Sequence, residues 1–333
     1  MSGLPTLPPR RICIAPMLDW TDRYFRYFAR LICRHCWLYT EMVTTGALLR
    51  GDTQRFLRFD PTEHPLALQL GGSEPEALAR AAQLGEQAGF DEINLNLGCP
   101  SDRVQAGRFG ACLMREPMLV TEGIAAMVAA VDIPVTVKMR IGVDHNDSYE
   151  ELLALVDKLS SAGCQTFIIH ARKAWLKGLS PRENREIPPL RHEIVHRLKQ
   201  DFPSLEVILN GGITDLDAAA TQLERVDGVM IGREAYHNPW LLADVDRRFH
   251  GDETPPPERR QIIQRLLPFI ESELASGVPL QRISRHILGL FQGEPGARRW
   301  RRHLSENSHK KNADTNVIVE ALRYMRPGET TTD

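Results

Sequence analysis

Short apolar, β-branched runs alternate with longer amphipathic stretches along the first three quarters of the chain. Eight runs stand out: Ile12 to Ala15, Leu38 to Val43, Leu66 to Leu70, Glu92 to Leu97, Val135 to Met139, Thr166 to His170, Glu206 to Leu209 and Gly228 to Ile231. Runs this short, rich in Val, Ile and Leu, predict strands buried on both faces, as in a parallel sheet. Between them helical spacing predicts helices, among them Glu74 to Ala88, Met118 to Val131, Tyr149 to Ala162, Leu190 to Asp201 and Leu216 to Leu223. Eight strand–helix units over about 240 residues match the (β/α)₈ TIM barrel, an α/β fold. The competing architecture is a doubly wound open sheet, whose Gly-rich dinucleotide fingerprint follows its first strand. Here that place holds Ala15-Pro16-Met17-Leu18-Asp19, which speaks against it.

Consecutive prolines in Thr254 to Pro257 stop helices and favour extended chain. Beyond them, Ile262, Leu266, Phe269, Ile270 and Leu274 recur at helical spacing with no strand-like alternation, so a small all-α helical bundle is expected. The organisation expected is a barrel over 1–250, a Pro-rich linker over 251–258, a helical domain over 259–327 and a polar, disordered tail over 328–333.

Composition adds only boundaries. At 333 residues, 42% hydrophobic and 25% charged, the chain has an ordinary globular balance and length for one large and one small domain. No apolar run reaches the length of a membrane span, and Met1 to Pro9 lacks the apolar stretch of a signal peptide, so a cytoplasmic protein with no membrane contact is expected. Six irregularly spaced cysteines read as reduced thiols rather than a disulfide framework. A net charge of −2 gives no hint of nucleic acid, so any RNA site must come from local clustering.

The unusual residues fall at or just after the C-terminal ends of the predicted strands, the catalytic face of a barrel. Gln69-Leu70-Gly71-Gly72 ends the third, Asn94 to Pro100 the fourth, Lys138-Met139-Arg140 the fifth and His170-Ala171-Arg172 the sixth. Asn210-Gly211-Gly212 and Gly232-Arg233 end the last two. Singly, each reads as a turn glycine, a structural histidine or a solvated charge. Jointly, separate turns have no reason to gather their polar groups on one rim. The glycines after the last two strands fit a phosphate held by backbone N–H groups, with Arg233 able to pair with it. With Gln69, Lys138 and His170 in the mouth, the set suits a planar, phosphorylated cofactor, a description that FMN satisfies. No metal is expected, because Cys33-Arg34-His35-Cys36 lacks a second ligand pair and no strand end carries a histidine–carboxylate cluster.

These residues sit in longer blocks: Ala15 to Asp22 (APMLDWTD), Leu68 to Gly72, Glu92 to Met114, Val135 to Gly142, Ile169 to Leu190, Asn210 to Ile213 and Val226 to Trp240. Over nearly its whole length the chain resembles the tRNA-dihydrouridine synthase family, and within it the A subfamily. The resemblance implies FMN held by Pro16, Met17, Leu18, Gln69, Lys138, His170, Asn210, Gly211, Gly212, Gly232 and Arg233. It also implies NADPH as electron source, a tRNA-binding C-terminal helical domain, and uridines 20 and 20a of the tRNA D-loop as the target. The chain is expected to act as a monomer.

The C5=C6 bond of uracil is conjugated to the C4 carbonyl, so hydride adds at C6 and a proton at C5. Cys99, at the tip of the fourth strand, reads from its residues alone either as an acid or as a small buried residue of a turn. An ordinary thiol, with a pKa of about 8.5, is mostly protonated at neutral pH, and the resemblance assigns Cys99 the acid role. Asn96 is the candidate partner of the uracil edge, and Cys112, among small residues, reads as structural. Arg282 to Lys311 holds eight basic residues against Glu294 and Glu306. In a helix over Gly296 to Ser305, Arg298, Arg299 and Arg302 share one side while Trp300 and Leu304 face another. This reads as a phosphate-gripping surface or a solvated helix face. Arg140, Arg182, Arg185, Arg299 and Arg302 are the candidate tRNA contacts; Arg182 and Arg185 follow a second basic stretch, Arg172 to Lys177, in the long loop after the sixth strand. Two other functions compete: a flavin barrel acting on a free pyrimidine, like dihydroorotate dehydrogenase, leaves the basic C-terminal region unexplained. A non-catalytic tRNA-binding module leaves Gln69, Lys138, His170 and Cys99 unexplained.

Overall fold

The computed structural model describes residues 7–325; the tail expected over 328–333 lies outside them. Contacts divide the chain into two units, one formed by the chain up to Asp19 with Cys36–Gly232, the other by Trp20–His35 with the chain from Arg233 onward.

The first unit is the expected barrel. Its strands are β1 (Ile12–Ile14), β2 (Leu38–Tyr39), β3 (Val43–Thr44), β4 (Leu66–Gly71), β5 (Glu92–Leu97), β6 (Val135–Arg140), β7 (Thr166–His170), β8 (Glu206–Asn210) and β9 (Gly228–Ile231). They pair in parallel in the order β1-β9-β8-β7-β6-β5-β4-β2, with β3 also on β4. The ring closes where Ile14 N–H donates to Trp37 O at 2.8 Å and Trp37 N–H to Ile12 O at 3.0 Å. All eight predicted runs are strands, but the second is interrupted. There the Gln69 N–H donates to the Thr40 hydroxyl at 3.0 Å, so a side chain replaces a carbonyl in the ladder and pairing lapses before β3.

The helices of this unit begin and end where local chemistry directs. Pro75 and Pro117 open Pro75–Ala88 and Pro117–Val128, Ser148 and Glu151 form a capping box on Tyr149–Ser161, and Asp215 caps Leu216–Leu223. Gly89, at φ +97°, ends the first of them in the left-handed conformation that glycine favours.

The second unit is helical among its described residues, with Arg259–Ala275 and Ala297–Asn307 its longest helices after the irregular 251–258 segment. Its boundary differs from the expected one, falling at Arg233 and drawing in Trp20–His35. The cause is tertiary: Arg23–Ile32 buries Tyr24, Phe25, Phe28 and Ile32, Arg23 pairs with Glu273 at 2.6 Å, and Tyr27 stacks on Phe269 at 3.9 Å. Trp20 likewise stacks on Tyr236 at 4.5 Å. The basic helix has the expected two sides, with Trp300 and Leu304 buried and Arg298, Arg299, Arg301 and Arg302 exposed. Among the described residues no helix is long and apolar enough to cross a membrane.

Candidate active site

Alternate residues of a strand point to one face, and in β5 and β6 the inward positions are polar, joined by Gln69 of β4. Arg10 Nε donates to Glu92 at 2.8 Å, and the Thr136 hydroxyl donates to the other Glu92 oxygen at 2.5 Å. Asn94 Nδ2 donates to Thr136 at 2.8 Å, and Gln69 Nε2 to Asn94 Oδ1 at 2.8 Å. Asn96 Nδ2 donates to Gln69 Oε1 at 2.9 Å, and Asn96 Oδ1 accepts the N–H groups of Gly98 and Cys99 at 3.0 Å each. A continuous polar chain thus runs up the barrel interior to the Cys99 backbone. It satisfies groups that would otherwise be buried without partners.

Lys138, on β6, donates to Asn210 Oδ1 at 3.1 Å, and Asn210 in turn donates to Met230 O at 2.7 Å. Burial, then the charge of Arg140, pulls the Lys138 ammonium down to about 7, with Cys99 acting the other way. Burial holds His170 well below its ordinary value, reinforced by Arg140, Lys138, Arg172 and Arg185, so its ring is neutral. Arg140 is 3% exposed. Its Nε donates to Gly98 O at 3.0 Å and its Nη1 to Lys173 O and Asn184 O at 3.0 and 2.9 Å. Burial pulls it down to about 10.

At the β8 end, Gly211 and Gly212 have φ of +112° and +76°. A Cβ on Gly211 would lie 2.7 Å from His170 Cδ2, and one on Gly212 would lie 2.4 Å from Leu190 Cδ1. Gly232 faces open space, the nearest atom to a Cβ there being Ala15 Cβ at 4.0 Å. Pro16 and Met17 are half-buried at the end of β1, Met17 packing on the interior cluster with Ala15, Tyr39 and Met230, whereas Leu18 is exposed.

The model of the family described as Dihydrouridine synthase (Dus) matches residues 13–325. The chain belongs to the dihydrouridine synthase family. It is 59% identical over 317 residues to a tRNA-dihydrouridine(20/20a) synthase of Shewanella oneidensis, covering 95% of this chain and 94% of that one. Proteins of the same name from Pseudomonas aeruginosa and Escherichia coli strain K12 are 56% and 57% identical, over 97% and 95% of this chain and 98% and 91% of theirs. Among solved structures, a 2-naphthoyl-CoA reductase complexed with 2-naphthoyl-CoA matches with a TM-score of 0.56 at 12% identity, covering 71% of this chain and 50% of that one. At that identity the likeness speaks for the barrel fold alone.

In this dihydrouridine synthase family member, Gln69, Asn96, Cys99, Lys138, Arg140, His170 and Asn210 are joined by the contacts and charges described above. Arg233 opens the second unit, as the residue after Gly232. Arg182 and Arg185 are exposed in the loop after β7, Arg182 lying 3.6 Å from Glu186. Arg299 and Arg302 are exposed on the basic helix, where Arg302 pairs with Glu306 at 2.8 Å. Cys112 donates to Phe109 O at 3.1 Å, burial pushes its thiol up, and it packs beside Ala111 and Ala174. Among the described residues no three His, Cys, Asp or Glu side chains are arranged to hold a metal.

Sequence reasoning missed Asn184. It is fully buried, accepts the Trp175 N–H at 2.7 Å and donates to the carbonyls of Trp175, Leu179 and Ser180 at 2.9, 3.1 and 3.3 Å. Together with Arg140 it fixes the loop that carries Arg182 and Arg185. An asparagine among arginines and glutamates reads as solvent-facing, so nothing local marks it.

Proposed function

We propose that this chain reduces uridine to dihydrouridine in the tRNA D-loop, at positions 20 and 20a, with FMN as cofactor and NADPH as electron source. The observation that carries the reading is the polar chain ending on Cys99, beside Lys138 and Arg140, in a barrel of this family.

The residues present fit FMN. Gly232 leaves open space where a Cβ would project, Gly211 and Gly212 turn their backbone through left-handed conformations, and Lys138 and Arg140 supply positive charge within the mouth. Pro16, Met17, Leu18, Gln69, Lys138, His170, Asn210, Gly211, Gly212, Gly232 and Arg233 are the residues that would hold it. Bound flavin supplies hydride for C6 of the uracil. Lys138, poised near neutrality, stabilises negative charge beside it, and neutral His170 can accept or donate a hydrogen bond without adding charge. Cys99 gives its thiol proton to C5, its backbone fixed by Asn96. Arg140 ties the Cys99 loop to the loop after β7, and Arg182, Arg185, Arg299 and Arg302 meet RNA phosphates, with Arg182 and Arg302 first leaving their pairings with Glu186 and Glu306.

The test is anaerobic reduction of the purified protein with NADPH, then addition of unmodified tRNA while flavin absorbance is followed, with Cys99→Ala alongside. Rapid reoxidation with dihydrouridine in the digested RNA, largely lost in the variant, is the expected result. Flavin that stays reduced in the presence of tRNA overturns the assignment.

A further inference from the structure

A D-loop uridine that enters the barrel mouth must leave its contacts with neighbouring nucleotides, and the enzyme must offset that cost. Nucleic-acid-binding proteins lower that cost with rigid apolar side chains that occupy the vacated place in the stack. The loop after β7 carries one such side chain. Ile187 is 60% exposed, among the most exposed large apolar residues described. Isolated exposed apolar residues are ordinary, but the backbone that carries this one is held by hydrogen bonds on both sides. Its N–H donates to Glu183 O at 2.8 Å. Arg172 Nη1 donates to the carbonyls on both sides of it, Glu186 O at 3.3 Å and Pro188 O. Pro188 is buried and Pro189 follows, so two fixed φ angles stiffen the chain beyond it. The loop closes at its base where Arg191 N–H donates to Ala171 O at 2.8 Å, one residue after His170. Arg182 and Arg185 stand exposed five and two residues before Ile187.

Resting on the tRNA reading above, we propose that Ile187 is the apolar wedge that takes the target uridine's place in the base stack when that base enters the barrel mouth. A rigid, β-branched side chain gives up little entropy on insertion. Arg182 and Arg185, which precede it in the loop, hold neighbouring phosphates while it inserts. The role concerns extrusion after binding, so it acts on the rate at saturating RNA rather than on affinity.

The test compares wild type, Ile187→Ala and Ile187→Leu, each loaded with flavin and reduced with NADPH. The rate of reoxidation by saturating unmodified tRNA and the Kd for the same tRNA are measured for each. The expected result is a fall of about tenfold or more in the saturated rate for Ile187→Ala, a Kd within about threefold of wild type, and near-complete retention in Ile187→Leu. An unchanged saturated rate overturns the wedge, as does a weakened Kd with an unchanged rate, which marks a simple surface contact. Failure of wild type itself to reoxidise with tRNA removes the tRNA reading instead, so the two failures are distinct. Melting curves separate misfolding from function, because an exposed side chain leaves them unmoved.

Discussion

Asn96 holds Cys99 by its backbone: Asn96 Oδ1 accepts the Cys99 N–H at 3.0 Å, and the Gly98 N–H at the same distance. Removing that anchor frees the thiol to wander. Asn96→Ala is expected to slow tRNA-dependent flavin reoxidation by about ten- to a hundredfold, since a misplacement of about 1 Å has that effect. It also strips Gln69 Oε1 of its donor, which costs about 1–3 kcal/mol. Asn96→Asp keeps the acceptor and should fall between the two. A rate equal to wild type in the alanine variant contradicts the anchoring role.

Lys138 gives a pH signature. Its ordinary value of 10.5 falls to about 7 in the fold. Between those values the unfolded chain binds a proton here that the folded barrel does not, so this group's effect on stability improves as pH rises through the window. Below about 7 the destabilisation is complete. Lys138→Met, compared with wild type after removal of flavin, should therefore melt higher at pH 7, with the margin closing toward pH 10. A margin that widens with pH reverses the sign and defeats the account.

Gly211→Ala places a Cβ 2.7 Å from His170 at φ +112°, so the loop must move. Strain of this kind amounts to about 1–3 kcal/mol, and the displaced backbone should weaken flavin binding by about ten- to a hundredfold. Gly178→Ala is the matched control, with φ +83° but nothing within 4 Å of the added atom. Flavin titration of both variants reads the difference, and equal affinities would show that the Gly211 loop does not touch the cofactor.

On the basic helix, Arg299→Ala should weaken tRNA binding and reduce the slope of log K against log salt by about 0.7–0.9, one phosphate's worth of counterion release. Arg302 must first leave Glu306, its partner at 2.8 Å. Arg302→Ala should therefore reduce affinity less. Filter binding from low to high salt decides it, and an unchanged slope for Arg299→Ala removes that residue from the interface.

The strands were legible because their signal is local. A buried parallel strand needs an unbroken apolar run, and every one of the eight lies where its run lies, β5, β7 and β9 residue for residue. The gap between β2 and β3 was not legible, because it depends on the Thr40 hydroxyl meeting the N–H of Gln69, 29 residues away in the chain. The second unit's claim on Trp20–His35 escaped notice for the same reason, since Arg23 finds Glu273 only when the chain has folded.

In the site, the sequence by itself determined which side chains stand at the barrel mouth, since strand ends and turn glycines are written in local residue order. Gln69, Asn96, Cys99, Lys138 and His170 were all named from it. Only the tertiary structure decided how each is occupied. Asn96, read as a partner for uracil, spends its oxygen on the Cys99 loop, and Arg140, read as a tRNA contact, spends three hydrogen bonds on backbone carbonyls. Asn184, unmarked in the sequence, organises the loop of Arg182 and Arg185. Residue type and spacing are properties of neighbouring bonds in the chain, whereas hydrogen-bond partners and desolvation exist only once distant segments have excluded water between them.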